Sequence, residues 1–206
     1  SYMLPNTLGN TALVLPRREA WKPQRIEVLD APVDLVTPST ALAAIQQMIE
    51  EPGAHCIFAV NPEKVIRLQS DSVLCALLAQ ADLLIPDGIG IVLAARVLHG
   101  VSIERVPGID LFLAVCERSS QAGYRLYLLG AEPDVNRKAH DVLKSRYPRI
   151  SIVGTHHGLF SDDESPSIIQ AINLTRPDVI FVALGSPRQE EWITANLDKL
   201  QVKVCQ

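Results

Sequence analysis

The chain has 206 residues, 48% of them hydrophobic, and a formal net charge of -4. That length and apolar content suffice for one sizeable core, and the acidic balance supplies no general field for a nucleic-acid backbone, so no nucleic-acid partner is expected. No apolar run approaches the ~20 residues of a membrane-spanning helix, and no signal peptide is visible.

Residues 1–24 carry Pro5, Pro16 and Pro23 with no sustained hydrophobic period, the pattern of an arm or linker. From residue 25 to residue 206 the pattern is that of one folded domain. Short runs rich in Val, Ile and Leu predict strands at 26–29, 56–60, 83–86, 126–130, 151–154, 179–184 and 202–205. Segments of helical period lie between them. Thr37-Pro38-Ser39-Thr40 offers caps for a helix that runs to about Glu51 and stops at Pro52-Gly53. Gly130 to Pro133 opens another, closed by Tyr147-Pro148, and Ser161 with Glu164 forms a capping box for a helix that ends before Pro177. The alternation predicts an α/β fold, a Rossmann-like open and mostly parallel sheet with helices on both faces. The closing residues 202–206 read as a strand just begun, which predicts a natural chain that continues.

In an open parallel sheet ligands sit beyond the carboxyl ends of the strands. Asp87 follows Pro86 at such an end, and two readings stand side by side: a helix N-cap, or a general base that takes a proton from an attacking hydroxyl. Gly88 and Gly90 suggest a dinucleotide fingerprint, but its third glycine would fall at Leu93, which argues against a nicotinamide oxidoreductase. Asp162-Asp163-Glu164 is explained by its capping box rather than as a metal motif. His156 and His157, as strand neighbours, would point to opposite faces and chelate poorly. Gly185-Ser186-Pro187 ends the most apolar strand and starts a helix at Pro187, a ready place for a diphosphate or a sugar hydroxyl, with Arg188 and Gln189 in the first turn. Glu104-Arg105 precedes a Pro107-Gly108 turn. Cys56, Cys75, Cys116 and Cys205 lack paired spacing and lie in or beside apolar runs, which suits buried thiols in a reducing cytoplasm.

Read in order, Asn61-Pro62-Glu63, Pro86-Asp87-Gly88-Ile89-Gly90, Glu104-Arg105-Val106-Pro107-Gly108, Leu128-Leu129-Gly130, Tyr147-Pro148, Val153 to Gly158 and Leu184 to Glu190 resemble the motif series of the WecG/TagA/CpsF glycosyltransferases, family 26. The resemblance covers about residues 26–206. It implies an inverting, metal-independent transferase without a cofactor, best known for moving N-acetylmannosamine from UDP to a polyprenyl-diphosphate-linked N-acetylglucosamine in teichoic acid or other surface polysaccharide synthesis. Asp87 would then be the catalytic base. Asn61, Arg105 and Gln189 would line the substrate pocket, and Thr155, His156, His157, Gly185, Ser186 and Arg188 would lie in the turns that hold the nucleotide sugar. The family implies a cytoplasmic protein resting on the inner membrane face through a C-terminal, arginine-bearing appendage that residues 25–206 lack; self-association is left open. Ala59 stands where better-known members carry Thr. A non-catalytic nucleotide-binding α/β module is the competing reading, since fold alone does not fix function.

Overall fold

The computed structural model describes residues 22–206, so the expected arm over residues 1–24 lies outside the described residues except for its last three. In chain order the elements are β1 (Arg25–Val28), β2 (Ala31–Asp34), α1 (Pro38–Glu50), β3 (His55–Val60), α2 (Pro62–Leu68), α3 (Ser72–Ala79), β4 (Leu83–Pro86), α4 (Ile89–His99), α5 (Gly108–Ala122), β5 (Arg125–Gly130), α6 (Pro133–Arg146), β6 (Ser151–His156), a 3-10 turn (Asp162–Glu164), α7 (Ser165–Thr175), β7 (Val179–Ala183), α8 (Arg188–Asn196) and β8 (Val204–Cys205).

Six strands form one sheet in the order β4-β3-β8-β7-β5-β6, and every pairing in it is parallel. The two-residue period of the strands sends alternate side chains to two separate cores. Phe58, Leu84, Tyr127 and Ile180 pack with Leu74 and Leu78 of α3, Ile168 and Ile172 of α7 and Trp192 of α8. On the opposite face Ile57, Ile85, Leu126 and Phe181 meet Ile45 and Met48 of α1, Leu111 and Val115 of α5 and Leu143 of α6. Each such side chain taken fully out of water contributes about 1.5–3 kcal/mol, which is why a sheet covered on both faces is the stable arrangement for these runs. The fold is therefore the expected Rossmann-like α/β sheet with helices on both faces.

The first expected strand departs from the expectation. β1 does not join the parallel sheet; it pairs antiparallel with β2, from Arg25 opposite Asp34 to Val28 opposite Ala31. The turn between them places Leu29 and Asp30 at φ 50° and 67°, the left-handed pair that matches the twist of a two-residue hairpin. Pro32 and Asp34 hid β2, because both are poor strand formers, yet Asp34 is buried and accepts hydrogen bonds from Arg25 Nε at 2.8 Å and from the Leu84 amide at 2.7 Å. The hairpin is thus pinned to β4.

Helix starts follow the local signals closely. Thr37 caps α1 in a reciprocal box with Thr40. Ser161 and Glu164 form their box too, but it opens the 3-10 turn, and α7 begins only at Ser165. The helix expected at Pro187 begins at Arg188, after a cis Ser186–Pro187 bond.

Candidate active site

Three strand ends build the crevice at the carboxyl edge of the sheet. β3 runs into Asn61, whose Oδ1 accepts from the Lys64 amide at 2.8 Å and caps α2. β4 runs into Asp87, whose amide donates to Val60 O at 2.9 Å and so carries the β3–β4 ladder one residue further. Gly88, at φ 117°, then turns the chain into α4.

Asp87 does not cap α4: Gly88 holds the N-cap position, and no side chain bonds there. The half-buried carboxylate instead accepts from the Gly108 amide, at the first residue of α5, through Oδ2 at 3.1 Å. The carboxylate therefore sits against the N-terminal end of α5. Among the described residues Oδ1 takes no hydrogen bond. Gly108 also lies beside Ala59, and both line a cavity of about 360 Å³ together with Phe112, Phe181, Gln189 and Ile193. Arg105 is exposed on the loop before α5, and the next residue, Val106, donates its amide to Pro86 O at 2.7 Å.

At the third strand end, β7 passes through Gly185, at φ 80°, and Ser186 into α8. The Gln189 amide donates to Gly185 O at 2.8 Å, which closes the turn. Ser186 Oγ donates to Glu190 Oε1 at 3.0 Å, and Glu190 in turn pairs with Lys64 Nζ at 2.6 Å. Lys64 did not stand out in the sequence, and Glu190 did so only as the last residue of the motif Leu184 to Glu190, with no role of its own. The available signal was register: Glu190 and Ile193 share the buried face of α8, as Lys64 and Leu68 share that of α2, so each charge falls on an apolar stripe.

The structure does not gather all the expected residues around Asp87. β6 and β4 are opposite edges of the sheet, five strand steps apart, or roughly 24 Å at the usual spacing. Thr155 and His156 end β6 and, with His157, line a separate cavity of about 440 Å³ that also takes in Asn136, Arg137 and His140. Nor do the two histidines point to opposite faces. The strand stops at His156, their ring centroids lie 4.5 Å apart, and His157 Nδ1 accepts from the Leu159 amide at 3.1 Å.

Arg188 has structural work. It donates to Gly158 O at 2.8 Å and to Phe160 O at 2.7 Å and stacks over the Phe160 ring at 4.6 Å, tying the loop after β6 to the start of α8. Asn136 performs a similar service inside: buried, it donates to Gly130 O at 2.9 Å and His156 O at 3.1 Å. Glu164 Oε2 accepts from the Ser161 amide at 2.7 Å, and among the described residues no group of three His, Cys, Asp or Glu side chains is placed to hold a metal ion. Burial pushes the Cys56 thiol up to about 11 and the Cys116 thiol to about 12, so both are protonated and inert at neutral pH. No helix among the described residues is long and apolar enough to cross a membrane.

An open parallel sheet with helices on both faces and a crevice at its carboxyl edge defines a doubly wound α/β protein, the class in which ligands bind at that edge. The chain belongs to the glycosyl transferase WecG/TagA/CpsF family, whose sequence model matches residues 26–206. It is 31% identical over 182 residues, 87% of this chain and 71% of the relative, to the N-acetylglucosaminyldiphosphoundecaprenol N-acetyl-beta-D-mannosaminyltransferase of Staphylococcus aureus strain MRSA252. The protein of the same name from strain NCTC 8325 is 30% identical over the same shares.

Proposed function

We propose that the chain is an inverting glycosyltransferase that moves N-acetylmannosamine from UDP to a polyprenyl-diphosphate-linked N-acetylglucosamine, with Asp87 as base. The acceptor and the N-acetylmannosaminyl group follow the name printed for its relatives, and the UDP donor follows the family resemblance. The observation that carries the role of Asp87 is its half-buried carboxylate at the end of β4, held through Oδ2 by the start of α5 while Oδ1 takes no hydrogen bond among the described residues. In the reaction the acceptor hydroxyl attacks the anomeric carbon as the bond to the diphosphate breaks. Asp87 takes the hydroxyl proton, and UDP leaves with the bonding electrons. In this reading Asn61 after β3, Ser186 and Gln189 after β7, and Arg105 on the loop before α5 orient the two sugars. The turn from Gly185 into α8 meets the departing diphosphate with the positive end of a helix. Thr155, His156 and His157 hold the nucleotide side of the donor. The acceptor's lipid places the working protein at the inner membrane face.

The test is Asp87→Asn. Asn keeps an oxygen for the Gly108 amide but cannot take a proton. The expected outcome is a fall in kcat of about 10²- to 10⁴-fold with UDP affinity and melting temperature unchanged. UDP release with acceptor present, a UDP binding isotherm and a melting curve measure all three. Turnover within a fewfold of wild type in a normally folded variant would remove Asp87 from the mechanism.

A further inference from the structure

Lys64 and Glu190 are 5% and 0% exposed, and their Nζ and Oε1 atoms are 2.6 Å apart. Lys64 Nζ also donates to Ala59 O at 2.6 Å, and Ser186 Oγ donates to Glu190 Oε1 at 3.0 Å. Glu190 Oε2 is buried and has no hydrogen-bond partner among the described residues. A pair left incomplete in this way is a poor device for stability, because the loss of hydration of two charges is recovered only when geometry and remaining hydrogen bonds are good. Its position suggests a different use. Lys64 stands three residues after Asn61, at the end of β3, and Glu190 stands beside Gln189, after β7. In the sheet β8 separates those two strands, so the pair ties α2, which follows β3, to α8, which follows β7.

We infer that Lys64 and Glu190 are a positioning pair that holds the Asn61 wall and the wall of Ser186 and Gln189 at a fixed spacing and makes Ser186 a hydrogen-bond acceptor for the saccharide. The second half follows from hydrogen-bond inventory. An ionised carboxylate cannot donate, so the Ser186 hydroxyl hydrogen is committed to Glu190 and the oxygen presents lone pairs. A phosphate oxygen finds no donor there, whereas a sugar hydroxyl or an acetamido N–H finds an acceptor. The reading rests on the crevice being the donor-sugar site proposed above.

The experiment compares the wild-type chain, Glu190→Gln, the double variant Lys64→Met with Glu190→Met, and Ser186→Ala. Glu190→Gln strands a buried lysine charge and melts lower, whereas the double variant, with two apolar side chains, melts near or above wild type. In the double variant backbone hydrogen exchange over residues 59–61 and 185–189 is expected to rise at least ~10-fold. Its donor kcat/KM is expected to fall at least ~10-fold, mainly through KM. A double variant with wild-type exchange and kcat/KM would show a pair with no positioning role and overturn the inference. Ser186 is exposed, so Ser186→Ala folds and tests the acceptor role by itself. Affinity for UDP-N-acetylmannosamine should fall while affinity for UDP stays unchanged; equal losses for both, or none, would reject the acceptor role. A wild-type chain that binds neither compound counts against the proposed substrates, and the exchange comparison then decides the pair on its own.

Discussion

At Gly130 the backbone takes φ 122°, and a Cβ placed there would overlap the carbonyl oxygen of Ala183 on the neighbouring strand. That carbonyl accepts from the Ala131 amide at 2.9 Å, so the overlap cannot be relieved without opening the β5–β7 ladder at the ligand edge. Gly130→Ala is therefore expected to cost about 2–4 kcal/mol, from a strained φ and a displaced strand end together. Urea unfolding measures it, and a loss under about 0.5 kcal/mol would mean that the edge yields easily. Residues of this kind were legible as punctuation: Gly130, Asp87 and Gly185 each follow an apolar run, where the chain must turn. Lys64 and Glu190 were not legible. Their partner lies 126 positions away in sequence, and an isolated Lys or Glu near a helix start reads as solvated charge.

Among elements, the strands and helix caps of the parallel sheet were readable because each is fixed by local chemistry, as Thr37 and Thr40 at α1 illustrate. The hairpin was not, because its second strand is held by tertiary bonds that override the weak strand propensity of Pro32 and Asp34. Asp34 is the key to that override. It is 1% exposed, and removing its carboxylate leaves the Leu84 amide without its acceptor and Arg25 without its ion partner. Arg25 is partly exposed and can recover water, so most of the loss comes from the stranded amide. Asp34→Ala is expected to lower stability by about 2–3 kcal/mol. Backbone hydrogen exchange should rise first over residues 25–34, ahead of the parallel sheet. A uniform rise across all strands would show instead that the hairpin unfolds only with the whole domain.

For the whole molecule, the strand order decides which residues can share a reaction step. Sequence reading places Asp87 and the His156 and His157 pair alike at strand ends, and nothing local tells how many strands lie between. The order β4-β3-β8-β7-β5-β6 sets them at opposite edges, roughly 24 Å apart at the usual strand spacing. A side chain at the β6 edge cannot exchange a proton with an acceptor hydroxyl beside Asp87, because general catalysis needs hydrogen-bond contact. It can touch the donor's far end, since β6 and β7, which leads into the Gly185 turn, are separated only by β5. His156→Ala and His157→Ala are therefore expected to raise the donor KM about 3- to 10-fold and leave kcat within about twofold, the signature of lost uniform binding. Asp87→Asn should do the reverse. The decisive measurement is initial rate against UDP-sugar concentration at saturating acceptor for all three variants, with melting curves to exclude unfolding. His157 needs a control of its own, because its Nδ1 accepts from the Leu159 amide and Ala would free that loop. His157→Asn supplies a nearby acceptor and should recover the loop without restoring the ring. A kcat for either histidine variant that falls as far as that of Asp87→Asn would mean that the two edges meet during turnover, and that the open sheet closes around its substrates.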